Sequence, residues 1–226
     1  MKEKLRDTLF QIIPENKRVL FQKISEQRTK QITVLLENIF QEHNASAVLR
    51  NCDCFGIQEL HVIEDSNKYK VQRDIARGAG KWVDLISFND NENANLQAVK
   101  NLKEKGYKIA TLSPEADQYD IYNLPIDQPI ALVFGTEWKG VSEDLKENSE
   151  YLVQIPMVGF TESFNVSVSV ALTLQALRNR LENSSLNWKL SHDEQLDLQI
   201  KWCEKYIKNG KIVRQDLEKR ILNNEI

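Results

Sequence analysis

A chain of 226 residues, 41% apolar and 28% charged, is long enough to bury a substantial core, and no apolar run in it approaches the roughly 18 residues a membrane span needs. Met1-Lys2-Glu3-Lys4-Leu5-Arg6 begins basic, but no apolar stretch with a small-residue cleavage site follows, so no secretory signal is read; the odd count of three cysteines lacks disulfide-framework spacing and points to a reducing, cytoplasmic setting. The formal charge of −3 is uneven, with eight Lys/Arg against four Asp/Glu in residues 1–30, ten against eight in 178–226, and twelve against 21 between them.

In chain order, residues 1–30 read as a helical extension in two pieces broken near Pro14, with Leu5, Leu9, Ile12 and Ile13 and then Val19, Leu20 and Ile24 at helical spacing. Ile32–Leu36 is a β-branched run suited to a buried strand. A helix opened by Asn44 or Ser46 follows and ends at Gly56; Leu60–Ile63 is the next strand. Cys52 and Cys54 lie about 200° apart on that helix, so they do not share a metal, and both read as packing residues. Further strands are expected at 82–86, 107–111 and 130–134, with a helix from about Asn93 to Lys105 closed by Gly106. A long helix runs from Asn165 to about Glu182, with Val166, Val170, Leu174, Leu177 and Leu181 on one stripe, and another from Asp193 to about Lys208. Alternating β and α elements predict an α/β domain with a mostly parallel sheet over residues 31–182, followed by a second helical extension, 183–226.

Three segments place polar or glycine residues at strand ends, where open α/β sheets bind ligands. The first is Glu37-Asn38 followed by Asn44 through Arg50, whose arginine, set among Ala, Val, Leu and Cys, is either a structural ion-pair member or a ligand contact. The second, Phe134-Gly135-Thr136-Glu137-Trp138-Lys139-Gly140, is a strand running into a two-glycine turn; Gly135 would let backbone approach a ligand closely. The third is an irregular Pro156/Gly159 loop that empties into Ser163, Phe164 and Asn165, with Asn165 either a helix cap or a ligand contact. A basic cluster, Lys68, Lys70, Arg73, Arg77 and Lys81, has Tyr69 and Trp82 alongside and suits phosphates with exposed bases. No dinucleotide or P-loop glycine string occurs.

In order and spacing these three segments resemble the motifs of the SpoU branch of the SPOUT RNA ribose 2′-O-methyltransferases, over roughly residues 31–182. The resemblance implies a deep C-terminal trefoil knot, S-adenosyl-L-methionine as cofactor, a homodimer with the site completed across subunits, and no metal. It also implies a cofactor pocket of Thr111, Gly135, Ile155, Met157 and Phe164, where the family usually has Leu in the last place. Glu137, Ser163 and Asn165 become polar members of the catalytic site, and Asn44 and Arg50 its RNA-facing catalytic pair; apart from the resemblance, Lys68, Arg73, Arg77 and Lys81 are read as RNA contacts from their charge and aromatic neighbours. Only about 30 residues precede the first strand, too few for a separate RNA-binding domain, and the basic ends suit tRNA, with guanosine 18 the expected target. Methylation of another tRNA or rRNA ribose, or RNA binding without catalysis, is the alternative.

Overall fold

The computed structural model describes residues 1–65, 68–89, 93–136 and 138–226, with only the backbone of Arg73. The elements are α1 (Lys2–Ile12), α2 (Glu15–Ser25), β1 (Ile32–Glu37), α3 (Glu42–Cys54), β2 (Glu59–Ile63), α4 (Arg73–Ala76), a 3₁₀ turn (Ala79–Lys81) and β3 (Asp84–Phe88). They continue with α5 (Ala94–Glu104), β4 (Lys108–Leu112), β5 (Tyr119–Asp120), β6 (Ile130–Phe134), α6 (Glu143–Glu147), β7 (Tyr151–Gln154), α7 (Val166–Glu182), α8 (His192–Tyr206) and α9 (Gly210–Leu222).

Two compact units result, Lys30–Trp188 and Met1–Thr29 with Lys189–Ile226. In the larger, the described residues form a seven-stranded sheet of order β3-β2-β1-β6-β4-β7-β5, each pairing parallel. The central strands β1 and β6 are buried along their whole length while the edge strand β3 alternates. That is why Ile32-Thr33-Val34-Leu35-Leu36 reads as an unbroken apolar run: a parallel strand covered on both faces has no solvent side to mark. Successive side chains nonetheless go to opposite faces. Val34, Leu36, Leu132 and Phe134 pack with the α3 and α7 residues Val48, Leu49, Val170 and Leu174. Leu35, Ala131 and Val133 pack with Ala98, Val99 and Leu102 of α5.

The strand expected at 82–86 starts at Asp84, because the Trp82 and Val83 amides donate to Ala79 O and close the 3₁₀ turn instead. The short strands β5 and β7 and the short helices α4 and α6 carry too few residues to show a period. Cys52 is buried but Cys54 is exposed, so only the first is a packing residue; the 200° rotation that separates them sends one inward and the other out.

In the smaller unit, Trp202 is 1% exposed, with the Phe21 ring 5.6 Å away and the Arg28 guanidinium 5.5 Å from its ring. Val19 and Leu20, read as part of a buried stripe, are exposed, and Phe21 takes the inward place. The terminal segments join through an antiparallel Thr29–Lys189 bridge and the Gln199 Nε2–Ser25 Oγ hydrogen bond of 2.7 Å. A Ser191–Glu194 capping box opens α8, and burial pushes the Cys203 thiol up to about 12. The helix expected from Asp193 to about Lys208 is α8, and a further helix, α9, follows where Asn209 takes a left-handed φ of 55°. Among the described residues no helix is long and apolar enough to cross a membrane.

One buried charge group lies at the amino end of β2. Glu59 Oε2 is 3.4 Å from Nε2 of the fully buried His61 and 3.0 Å from Lys105 Nζ. His61 first, then Lys105, hold the Glu59 carboxyl at about 2 against the opposite pull of burial. Because folding lowers this pKa, the stability it contributes is complete above the ordinary value of 4.5 and is lost as pH falls toward 2. Thermal unfolding followed between those limits should show a shallower acid-side fall in Tm for Glu59→Gln than for the parent; identical slopes would contradict the pairing.

Candidate active site

Three parallel strands, β4, β6 and β7, end on the same side of the sheet, and their carboxyl ends open into a cavity of about 290 Å³. Its walls are Leu112 and Ser113 after β4, Phe134 through Thr136 and Trp138 through Val141 after β6, and Ile155, Met157, Ser163 and Phe164 after β7. Val166 and Ser169 of the first turn of α7 close one side, and Glu115, Lys139, Lys146 and Glu162 bring charge to it. Of the expected pocket residues, Gly135, Ile155, Met157 and Phe164 meet here, together with Ser163. Thr111 does not: it is fully buried, its hydroxyl lies 2.6 Å from Ser149 Oγ, and the next residues along the strand form the wall.

The loop after β6 is a tight crossing. Thr136 and Gly140 exchange two backbone hydrogen bonds of 3.0 Å, and the Lys139 amide donates to Thr136 Oγ1 at 3.1 Å. A Cβ at Gly135 would stand 1.9 Å from Gly140 O and 2.3 Å from Val141 N. The glycine is therefore required by the loop's own return path, where the sequence suggested close approach of a ligand. Past the crossing, the Ser142 amide donates to Glu37 Oε2 at 2.8 Å, and Asn95 Nδ2 donates to Glu37 Oε1 at 3.3 Å and to Ser142 Oγ at 3.1 Å. Glu37, 6% exposed at the end of β1, braces the loop, a part that sequence reasoning did not assign; an acid closing an otherwise apolar strand was its signal. Glu137 lies outside the described residues.

From Met157 to Phe164 the backbone makes no backbone-to-backbone hydrogen bond among the described residues, which leaves amides and carbonyls beside the cavity available to a ligand. The Ser163 hydroxyl has no hydrogen-bond partner among them either. Asn165 closes the segment as a helix cap and also bonds a second side chain. Its Oδ1 caps α7, accepting from Ser167 N at 2.9 Å and Ser167 Oγ at 2.7 Å, and its Nδ2 donates to Asn44 Oδ1 at 3.1 Å.

Asn44 is therefore not a helix cap, since α3 starts at Glu42, nor an RNA-facing side chain, since it is 1% exposed. Its carboxamide joins the first turn of α3 to the start of α7, and Asn51 Nδ2 adds a 2.9 Å bond to Ser167 O. Arg50, read either as a structural ion-pair member or as a ligand contact, is exposed on α3 and has no ion pair or hydrogen bond among the described residues. It falls on the outer face, while Val48, Leu49 and Cys52 fill the core.

The basic segment is fastened to the same helix. Tyr69 donates its hydroxyl to Ala45 O at 2.7 Å, and the Gln72 amide donates to Ser46 Oγ at 2.7 Å. The Tyr69 ring packs in the core and burial pushes its phenol upward, so it is no platform for a base. Lys68, Arg77 and Lys81 are exposed and carry no ion pair among the described residues, whereas Lys70 lies 3.6 Å from Glu42. The Arg73 side chain lies outside the described part. Among the described residues no cluster of His, Cys, Asp or Glu could hold a metal ion.

A parallel α/β domain with a polar cavity at the carboxyl ends of its strands belongs to the class that binds a small ligand at that edge. The chain is a member of the SpoU rRNA Methylase family, whose profile matches residues 31–175. The tRNA (guanosine(18)-2′-O)-methyltransferase of Borreliella burgdorferi is 35% identical over 205 residues, 91% of this chain and 92% of that protein. The crystal structure of the A. aeolicus TrmH/SpoU tRNA modifying enzyme superposes with a TM-score of 0.76 at 27% identity, covering 86% of this chain and 98% of that one. The fold also matches the SpoU methyltransferase AviRb from Streptomyces viridochromogenes, solved in complex with the cofactor AdoMet, with a TM-score of 0.61 at 19% identity over 70% of this chain and 63% of that one.

The crossing at Gly135 makes a direct prediction. Gly135→Ala should lower stability by about 1–3 kcal/mol in urea unfolding, because a backbone contact at 1.9 Å cannot be relieved by a side-chain rotation. Gly159→Ala, whose Cβ meets nothing closer than Thr161 N at 4.0 Å, should stay within about 0.5 kcal/mol. Equal stability of the two variants would refute the role given to Gly135.

Proposed function

We propose that this protein transfers a methyl group from S-adenosyl-L-methionine to the ribose 2′-OH of guanosine 18 in tRNA, in the cytoplasm and as a homodimer. The observation that carries the reading is the Asn165–Asn44 hydrogen bond of 3.1 Å. It brings the first and third sequence segments together beside the cavity that the second and third enclose. RNA methylation is supported by family membership, and the tRNA target by the named activity of the Borreliella relative, matched over nine-tenths of both chains.

The cavity fits the cofactor. Its volume stands at the lower end of the roughly 300–1,000 Å³ usual for small-molecule sites. Leu112, Ile155, Met157 and Phe164 would enclose the adenosine, with the unpaired backbone of 157–164 for its polar edge. Glu115 and Glu162 against Lys139 and Lys146 suit a zwitterionic amino-acid tail. Bound there, S-adenosyl-L-methionine supplies an electrophilic methyl group on a sulfonium.

The protein's part is to place the ribose and deal with one proton, and positioning is the larger share. Arg50, exposed and without a carboxylate partner among the described residues, is suited to clamp a substrate phosphate through its planar fork. With Arg50 acting as that clamp, the 2′-OH proton passes to the phosphate or to water. Asn44 and Asn165 act as positioning residues that hold α3, and with it Arg50, against the start of α7. Ser163 adds a polar group to the wall, and Glu137 is assigned to the catalytic site by its place in the motif alone. Lys68, Arg73, Arg77 and Lys81 form a phosphate track fastened to the same helix, and the basic terminal unit adds to the grip on RNA.

The place of β7 between β4 and β5 in the sheet, although it follows both in sequence, supports a threaded, knotted crossover. An exposed apolar patch supports the homodimer: Phe164, Val168 and Leu172 recur at four-residue spacing, with Val158 and Phe160 fully exposed beside them.

Incubation with labelled methyl donor and total tRNA, followed by mapping of the modified ribose, tests the reading. Label at guanosine 18 is expected, and label at another ribose or in ribosomal RNA would redirect it. Arg50→Ala should lower methyl transfer by at least about 100-fold while leaving cofactor affinity within a few-fold; a large loss of cofactor binding would move Arg50 to the wrong side of the site. Replacing Arg73, Arg77 and Lys81 together by Ala should weaken RNA binding and reduce the log–log salt slope by about two to three. An unchanged slope would remove the cluster from the interface.

A further inference from the structure

We propose that Trp138 is a stacking platform for a base of the substrate RNA at the mouth of the methyl-donor cavity, and so a positioning residue for the reaction; this rests on the reading of the protein as an RNA methyltransferase. Trp138 is 89% exposed, while Trp188 and Trp202 are 9% and 1% exposed and Trp82 is half-buried. An indole is among the largest apolar surfaces a residue can withdraw from water. Here it lines the cavity mouth with its ring left in solvent.

The segment that carries it is well fastened. Thr136 and Gly140, which flank Trp138 in sequence, exchange two backbone hydrogen bonds, and the Lys139 amide donates to Thr136 Oγ1; Gly135 lies at the close crossing just before them. A ring held out on a tied turn needs little ordering when a partner arrives, which preserves the gain from contact. The flanking charge selects the partner. Lys139, the next residue, is exposed with no ion pair among the described residues, and it lines the same cavity.

An aromatic face beside an unpaired cation is the combination that binds an unstacked base and its adjoining phosphate. Since the 2′-OH must reach the donor cavity, a nucleotide next to the target passes the cavity mouth, where Trp138 stands. Glu162, on the opposite loop, also lines this mouth and leaves Lys139 as the side on which a phosphate would lie.

The test compares Trp138→Ala and Trp138→Phe in the full-length protein with unfractionated tRNA. Base–aromatic stacking predicts a loss of kcat/KM for tRNA of roughly 5- to 150-fold in the Ala variant, with most activity retained by Phe. The sedimentation mass should not change in either, and any loss of S-adenosyl-L-methionine affinity should be smaller than the loss of kcat/KM for tRNA. Added tRNA should quench tryptophan fluorescence in the parent, and that part of the quenching should disappear in Trp138→Phe. Unchanged kcat/KM in Trp138→Ala, a loss confined to cofactor affinity, or a change in subunit association would each overturn the proposal. If the parent transfers no methyl group to RNA, the methyltransferase reading fails by itself. The quenching arm then decides: quenching by tRNA that is lost in Trp138→Phe sustains the platform, and its absence in the parent removes it.

Discussion

One carboxamide-to-carboxamide hydrogen bond, Asn165 Nδ2 to Asn44 Oδ1 at 3.1 Å, holds the two helices on which the site is built in register. Asn165 uses its other atom to cap α7, so the same residue starts the helix and fixes where that start lies. Capping contributes about 1 kcal/mol, but the geometric consequence is larger. The loop that walls the cavity ends at this point, and the helix that presents Arg50 begins at the other end of the bond.

The rest of the edge is braced from below. Glu37, buried at the end of β1, accepts the Ser142 amide where the Gly135–Val141 crossing rejoins the domain, and Asn95 holds both partners. A buried amide deprived of its acceptor would lose about 1–3 kcal/mol, so the carboxylate and the crossing stand together. Rigid support of this kind leaves the exposed groups above it, Trp138, Lys139, Ser163 and the 157–164 backbone, free for ligands. Tyr69 and Ser46 do the same for the basic segment by tying it to α3.

Much of this was legible in the sequence wherever a period or a cap is written in residue types. The buried strands β1, β2, β4 and β6 and the α7 stripe follow from apolar patterning, and the motif order identified the family. Burial of individual polar residues was not legible. Asn44 and Arg50 sit six positions apart on one helix, and only the packing of α3 against α7 shows that the first turns inward and the second outward. Thr111 points into a hydroxyl pair with Ser149, 38 residues on, which no local pattern encodes. Gly135 was read as making room for a ligand, but the atom it makes room for belongs to Gly140, a return path visible only once the loop is folded. The second break, at Asn209, rests on one left-handed residue between two ordinary helical stretches.

The two asparagines act as one unit joining the donor wall to the RNA-facing helix. A double-mutant cycle of Asn44→Ala and Asn165→Ala, read in kcat/KM for methyl transfer to tRNA, tests it most directly. If the hydrogen bond is the link, either substitution removes it, and the double variant is less impaired than the product of the two single effects by about 0.5–3 kcal/mol of coupling. Effects that multiply independently would contradict it.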